Sequence, residues 1–300
     1  MRAALATTEL AEAVGPVEGV EVTVWDGEGR APEGDIDLWV PHYATSAEVI
    51  DRGHELGGLR WVQLQTAGYE GVAERLPDGV TLCNAAGVHD DATAEHAVGL
   101  IIASLRGIPE AVRAHGHWGR LPGRRSLADS QVLVVGYGSI GRALAERLLP
   151  MKAVVTAIAS SARDDDLVGR VRATADLTEL LPEQDVVVVL VPLTDATSGL
   201  VDDAFLGHLP DGALVVNIAR GPVVDTDAVL RHAGRLRFAL DVTDPEPLPD
   251  GHPLWEATDV LITPHIAGGT TAMLPRMSSL VRAQLERLNA GEPLVNVVSG

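Results

Sequence analysis

The chain has 300 residues, 46% of them hydrophobic and 22% charged, a length and balance that predict two folded domains rather than a disordered or fibrous protein. Forty-two acidic against 23 basic side chains leave a net charge of −19, which argues against nucleic acid and anionic membrane surfaces as partners. One cysteine excludes an internal disulfide and fits a reducing cytosol, and with no signal peptide and no membrane-spanning apolar run a cytoplasmic protein is expected.

In chain order, residues 20–25 and 36–40 read as strands, and Ser46-Ala47-Glu48 opens a helix with Ser46 or Thr45 as its cap. Residues 60–65 form another strand, which runs into Thr66-Ala67-Gly68-Tyr69, and residues 81–84 a further short one; together these make a small α/β unit. Cys83, after Val80-Thr81-Leu82, reads as a buried, inert thiol. A long helix follows over about 92–105, with Ala94, Ala97, Val98, Ile101, Ile102 and Leu105 on one apolar face. A linker rich in Gly, Pro and Arg, residues 115–125, leads into a second unit. Its apolar runs at 131–135, 154–158, 186–191, 214–218, 237–240 and 260–263 are short, β-branched and unalternating, the pattern of strands buried on both faces of a parallel sheet. Helical segments between them make that sheet doubly wound. Lys152, the only lysine, lacks the context of a Schiff-base or P-loop lysine.

Gly136-Tyr137-Gly138-Ser139-Ile140-Gly141 matches G-x-G-x-x-G and stands between a buried strand and a helix, the context that gives the pattern meaning. Gly136 permits the tight turn, Gly138 lets backbone approach a pyrophosphate, and Gly141 lets helix pack on strand. The diphosphate then lies on a helix N-terminus, where unpaired N–H groups and the helix dipole favour anions. NAD-binding chains usually carry an acid at the end of the second strand to hold the ribose 2′-hydroxyl; the expected position is Ala159. Ser160, Ser161 and Arg163 follow and suit a 2′-phosphate. Asp164, Asp165 and Asp166 are expected to neutralise Arg163 in part, or Asp164 to reach the ribose, and the balance leans to NADP over NAD.

Ligands of open α/β sheets sit outside the carboxyl ends of the strands, and three strands end in reactive side chains: Arg220, Asp241 and His265. Reduction of a 2-oxo acid needs a cation for the carboxylate, which the planar fork of arginine suits, and an acid for the developing alkoxide, which imidazole supplies near neutral pH. Glu246, in Asp244-Pro245-Glu246-Pro247, is the carboxylate expected to orient that imidazole and stabilise its protonated form. His42, His54, His96, His115, His117, His208, His232 and His252 have no context that raises them; His89 lies near a candidate substrate loop. No metal site is expected.

These motifs carry a resemblance. Val135-Gly136-Tyr137-Gly138-Ser139-Ile140-Gly141, Val191-Pro192-Leu193-Thr194, Asn217-Ile218-Ala219-Arg220-Gly221, Leu240-Asp241-Val242 with Pro245-Glu246-Pro247-Leu248, and Thr263-Pro264-His265-Ile266-Ala267-Gly268 stand in the order found in the D-isomer-specific 2-hydroxyacid dehydrogenases, and the chain resembles that family over nearly its whole length. The resemblance implies a Rossmann-type coenzyme domain, residues 94–269, inserted into a smaller flavodoxin-like α/β substrate domain, residues 1–93 and 270–300. It implies a cleft that closes on substrate and a homodimer built mainly through the coenzyme domains. By position, His265 is the general acid/base and Glu246 its partner, Arg220 binds the carboxylate, and Asp241 meets the nicotinamide amide. Gly136, Gly138, Ser139, Ile140, Gly141, Pro192, Thr197, Ala219 and Gly268 also belong to the cofactor site, and backbone N–H groups at Ala67 and Gly68 grip the substrate. Tyr43, Tyr69, His89, Met273 and Leu274 are candidates for the pocket wall. The implied reaction interconverts a small 2-oxo acid, of the glyoxylate or hydroxypyruvate kind, and its D-2-hydroxy acid. The chain ends without the regulatory domain of some phosphoglycerate dehydrogenases, which argues against an allosterically controlled serine-pathway role. A β-hydroxyacid dehydrogenase is disfavoured because its glycine motif stands at the N-terminus and its catalysis uses lysine. The other alternative is a dinucleotide-sensing, corepressor-like binding protein, which would hold the cofactor without turnover.

Overall fold

Apolar runs become short strands, and the chain between them becomes helix. The computed structural model describes residues 1–43, 45–114, 116, 118–119 and 123–299; His115, His117 and residues 120–122 of the expected linker lie outside them. The elements are β1 (Arg2–Leu5), α1 (Thr8–Val14), β2 (Glu21–Val24), β3 (Leu38–Val40), α2 (Ala47–Asp51), β4 (Trp61–Gln63) and β5 (Thr81–Cys83). Then come α3 (Asp90–Arg106), α4 (Ile108–Arg113), β6 (Gln131–Val135), α5 (Ser139–Leu148), β7 (Val154–Ala159), β8 (Arg163–Asp165), β9 (Gly169–Ala173), α6 (Leu177–Leu180) and β10 (Val186–Val189). The rest are α7 (Asp203–Gly207), β11 (Leu214–Asn217), α8 (Thr226–His232), β12 (Arg237–Leu240), β13 (Val260–Ile262), α9 (Met273–Ala290) and β14 (Val297–Ser299). They fall into two compact units, Met1–His89 with Thr270–Gly300, and Asp90–Gly269.

In the first unit, among the described residues, six strands lie in the order β14-β5-β4-β3-β1-β2. All pairs are parallel except β14 with β5. The run β2-β1-β3-β4-β5 is the flavodoxin-like order. Leu10 and Val14 of α1 and Met277, Val281 and Leu285 of α9 bury Ala3, Leu5, Leu38 and Val40 on one side, while Trp39, Ile50, Val62 and Leu82 share a second cluster. β1 is absent from the sequence reading because Arg2-Ala3-Ala4-Leu5 has no β-branched residue; pairing on both edges, with β2 and β3, makes it a strand. Ser46 precedes α2 as expected, yet its side chain makes no capping bond.

The second unit holds eight strands among the described residues, ordered β13-β12-β11-β10-β6-β7-β9-β8, parallel but for β8 with β9. Strand order reverses between β6 and β10, the switch point where ligands of such sheets bind. Successive residues of the buried strands feed opposite cores: Val132, Val134, Val186, Val188 and Leu214 meet Ala94, Ala97, Ile101 and Leu105 of α3, while Leu133, Val135, Val187, Val189 and Phe238 face the other side. The β8–β9 hairpin is the unread part of this sheet. Its Arg163, Asp164, Gly169 and Arg170 are exposed at the edge, so it shows no apolar run. Among the described residues no helix is long and apolar enough to cross a membrane.

Candidate active site

The glycine turn is built by close approach. Gly136 has φ 107°, and a Cβ there would lie 2.6 Å from the Leu190 carbonyl carbon and 2.7 Å from the Val191 nitrogen, so the turn is pressed against the end of β10. A Cβ at Gly141 would lie 2.6 Å from the Gly136 oxygen, so α5 can sit on the turn only without one. Gly138 differs: its backbone is extended and nothing lies within 4 Å of a Cβ position. It opens the ten-residue α5 with no side chain capping the helix, so the first N–H groups, at Ser139, Ile140 and Gly141, face an open cradle. That cradle fits the diphosphate of a dinucleotide.

β7 ends at Ala159, and Ser160, Ser161 and Arg163 beyond it are exposed. Arg163 donates from Nη2 to the Tyr137 carbonyl at 2.6 Å and lies 5.9 Å from the Tyr137 ring centre. The expectation that Asp164, Asp165 and Asp166 neutralise Arg163 is corrected, because each is drawn to another partner. Asp164 faces Arg170 at 3.5 Å, Asp166 pairs with Arg142 at 2.7 Å, and Asp165 accepts from the Tyr137 hydroxyl, Arg142 and the N–H groups of Leu167 and Val168. Burial works to raise the Asp165 pKa, but these donors outweigh it and hold the carboxyl below its usual range. Burial, reinforced by Asp165, pushes the Tyr137 phenol up to about 12. After β10, the Thr197 hydroxyl donates to the Pro192 carbonyl at 2.5 Å and accepts from Thr194 N–H at 2.8 Å, so it closes its own loop.

Neighbouring strands β11, β12 and β13 carry the reactive side chains at their carboxyl ends. Buried Asn217 staples the first turn: Oδ1 accepts from Ala219 N–H at 3.1 Å and Nδ2 donates to the Arg220 carbonyl at 2.9 Å. Arg220, half-buried, also donates from Nη1 to the Ala219 carbonyl at 2.6 Å. A Cβ at Gly221 would lie 1.9 Å from the Thr243 oxygen, a contact that brings the arginine turn against the segment carrying Glu246. That segment is tied by Thr226 Oγ1 to the Asp244 carbonyl and by Thr243 Oγ1 to the Pro245 carbonyl, and both of its X–Pro bonds are cis. His265, after β13, has φ 50°, a region that residues other than glycine rarely adopt. Its Nδ1 lies 2.6 Å from Glu246 Oε1, with both side chains half-exposed. An ionised carboxylate only accepts, so Nδ1 carries the proton and Nε2 is left for another partner. The structure thus brings Glu246 and His265 together.

Asp241 sits under this loop with its side chain 1% exposed. Oδ1 accepts from Thr263 Oγ1 at 2.6 Å, Ile266 N–H at 3.1 Å and His96 Nε2 at 3.1 Å; Oδ2 accepts from Ala267 N–H at 3.0 Å, next to Gly268. Burial alone would raise its pKa, but the donors reverse the sign and lower it. His96, for which the sequence offers no context, therefore stands beside a site residue. The helical spacing of α3 places it next to the apolar face, but only the tertiary fold shows what it meets.

In the first unit, Asn84 Nδ2 donates to the Ala67 carbonyl and Thr66 Oγ1 to the Gly68 carbonyl, both at 2.7 Å. Among the described residues, the N–H groups of Ala67 and Gly68 donate to no protein acceptor. His89 is buried, with Nε2 at 2.7 Å from the Gln65 carbonyl and the Tyr43 ring at 5.6 Å; Tyr69 is exposed. Met273 and Leu274 pack against the core of this unit. Cys83 is buried there, and desolvation raises its thiol to about 11, which makes it inert.

Residues 98–267, more than half of the chain, match the family model described as D-isomer specific 2-hydroxyacid dehydrogenase, NAD binding domain. The chain is 34% identical to a glyoxylate reductase of Thermofilum pendens over 82% of this chain and 76% of that one. It is 31% identical to a human glyoxylate reductase/hydroxypyruvate reductase, over 91% and 89% respectively. The crystal structure of an NADPH-dependent glyoxylate/hydroxypyruvate reductase from Sinorhizobium meliloti, in complex with NADP and sulfate, superposes with a TM-score of 0.83 at 26% identity, covering 99% of this chain and 98% of that one.

Proposed function

The chain belongs to the D-isomer-specific 2-hydroxyacid dehydrogenases, NAD(P)-dependent enzymes, and from that premise we propose that it reduces a small 2-oxo acid of the glyoxylate or hydroxypyruvate kind to the D-2-hydroxy acid. The observation that carries this reading is the 2.6 Å contact of His265 Nδ1 with Glu246 Oε1 at the carboxyl edge of the sheet. Glu246 accepts the Nδ1 proton and holds the ring in one orientation. Nε2 then delivers its proton to the substrate oxygen as that oxygen gains charge, and regains one from solvent. Arg220 serves the substrate carboxylate with its planar fork. In the first unit the N–H groups of Ala67 and Gly68, which donate to no protein acceptor among the described residues, are candidates for substrate binding. The nicotinamide, when bound, supplies the hydride.

Gly136, Gly138, Ser139, Ile140 and Gly141 hold the diphosphate in this reading, with Pro192, Thr197, Ala219 and Gly268 along the same edge. Asp241 serves first as the anchor of the His265 loop; a nicotinamide amide would find only the acceptor capacity that Ala267 leaves on Oδ2. NADP is favoured over NAD, since Ser160, Ser161 and Arg163 are exposed, Ala159 offers no carboxylate, and the neighbouring aspartates are turned to Arg142, Arg170 and Tyr137. We expect a homodimer in the cytoplasm.

A panel of 2-oxo acids with NADPH and NADH in parallel tests the reading. The expected result is NADPH oxidation by glyoxylate or hydroxypyruvate that His265→Ala abolishes while dinucleotide affinity stays. Dinucleotide binding with no turnover of any 2-oxo acid would instead mark a sensing protein.

A further inference from the structure

We infer that His96 is a positioning residue for the acid–base histidine: its Nε2–H holds the Asp241 carboxylate, which in turn holds the loop that carries His265. The inference rests on the role proposed above for His265. His96 lies in the second turn of α3, a helix whose Ala94, Ala97, Leu100 and Ile101 are buried in the core, so the backbone beneath it is fixed. Its Nε2 is 3.0 Å from Thr263 Oγ1 and 3.1 Å from Asp241 Oδ1. Thr263 spends its one hydroxyl proton on Asp241 Oδ1 at 2.6 Å, and a carboxylate has none to give. The proton between the three groups therefore sits on His96 Nε2, shared between the hydroxyl oxygen and the carboxylate.

Asp241 translates that contact into the geometry of His265. Its main-chain carbonyl accepts His265 N–H at 2.7 Å, and its carboxylate gathers Thr263, Ile266 and Ala267, the residues on both sides of the histidine. A positive φ at a histidine persists only where the surroundings over-determine it. Here the overdetermination comes from one buried carboxylate with four donors. Three of them come from the loop itself, and His96 is the one from another element. Without it the carboxylate can rock with the loop it is meant to fix. A displacement of about 1 Å at a proton donor costs turnover far more than it costs binding.

The test compares His96→Leu with His96→Gln, whose amide N–H can reach the same carboxylate. With glyoxylate and NADPH, His96→Leu is expected to lower kcat about tenfold while KM for glyoxylate and Kd for NADPH stay within about twofold, and His96→Gln to recover most of the loss. Amide hydrogen exchange at Ile266 and Ala267, measured without substrate, is expected to quicken in the leucine variant and not in the glutamine variant. A leucine variant with wild-type kcat, or with unchanged exchange at both amides, overturns the inference. Failure of the dehydrogenase reading is seen separately: the wild-type protein then turns over no 2-oxo acid, while the exchange measurement still decides whether His96 holds the loop.

Discussion

At the scale of single residues, the chemistry turns on which atoms a side chain has already committed. His265 has given Nδ1 to Glu246 and keeps Nε2. Glu246→Gln keeps an acceptor at the same place but puts a neutral amide where the carboxylate makes its charge-assisted bond to Nδ1, so kcat is expected to fall about a hundredfold with dinucleotide affinity unchanged; steady-state kinetics beside a binding titration checks the split. Asp241 has committed to its four donors and is depressed in pKa despite burial. A carboxyl that titrates lower in the folded chain than in the unfolded one adds stability that is complete above its unfolded pKa of about 3.9 and is lost as pH falls through the folded value. Asp241→Asn, which sets an N–H group against donors that need an acceptor, should cost about 2 kcal/mol at neutral pH. The difference in melting temperature from wild type should narrow as the pH is taken below that range; a difference independent of pH would count against an ionised Asp241.

At the scale of elements, the three glycines of one turn answer to different constraints. Gly138 has empty space where a Cβ would go, while Gly141 has the Gly136 oxygen at 2.6 Å. Gly138→Ala is expected to leave thermal stability unchanged and to weaken dinucleotide binding at least about tenfold, because the methyl group occupies the cradle at the start of α5. Gly141→Ala is expected to lose about 2 kcal/mol of stability, since helix and turn must part. Calorimetry and a fluorescence titration on both variants separate the effects. The turn was legible in the sequence because its neighbours, a buried strand and a helix, are local patterns. β1 and the β8–β9 hairpin were not, because alanine-rich and charged segments become strands here only through partners brought to them by the fold.

At the scale of the whole molecule, a net charge of −19 means that any anion is bound by local donors against the overall field. The helix N-terminal N–H groups, Arg163 and Arg220 are the donors proposed for that task. The second unit also exposes Ile108 and Val112 on α4 and Trp118 beyond it, apolar surface in keeping with a second copy of the chain. Light scattering is expected to give twice the chain mass; a monomer at micromolar concentration would contradict the dimer.

The sequence by itself determined the two α/β units, the glycine turn and the order of Arg220, Glu246 and His265 after successive strands. Each is a requirement of local backbone or of side-chain type, and such requirements are written along the chain. Only the tertiary structure decided where the carboxylates of Asp164, Asp165 and Asp166 point, and that a helix side chain at position 96 supports a loop 167 residues away at Thr263. Those outcomes depend on satisfying every buried donor and acceptor at once, a condition that exists only when distant segments share the same small volume.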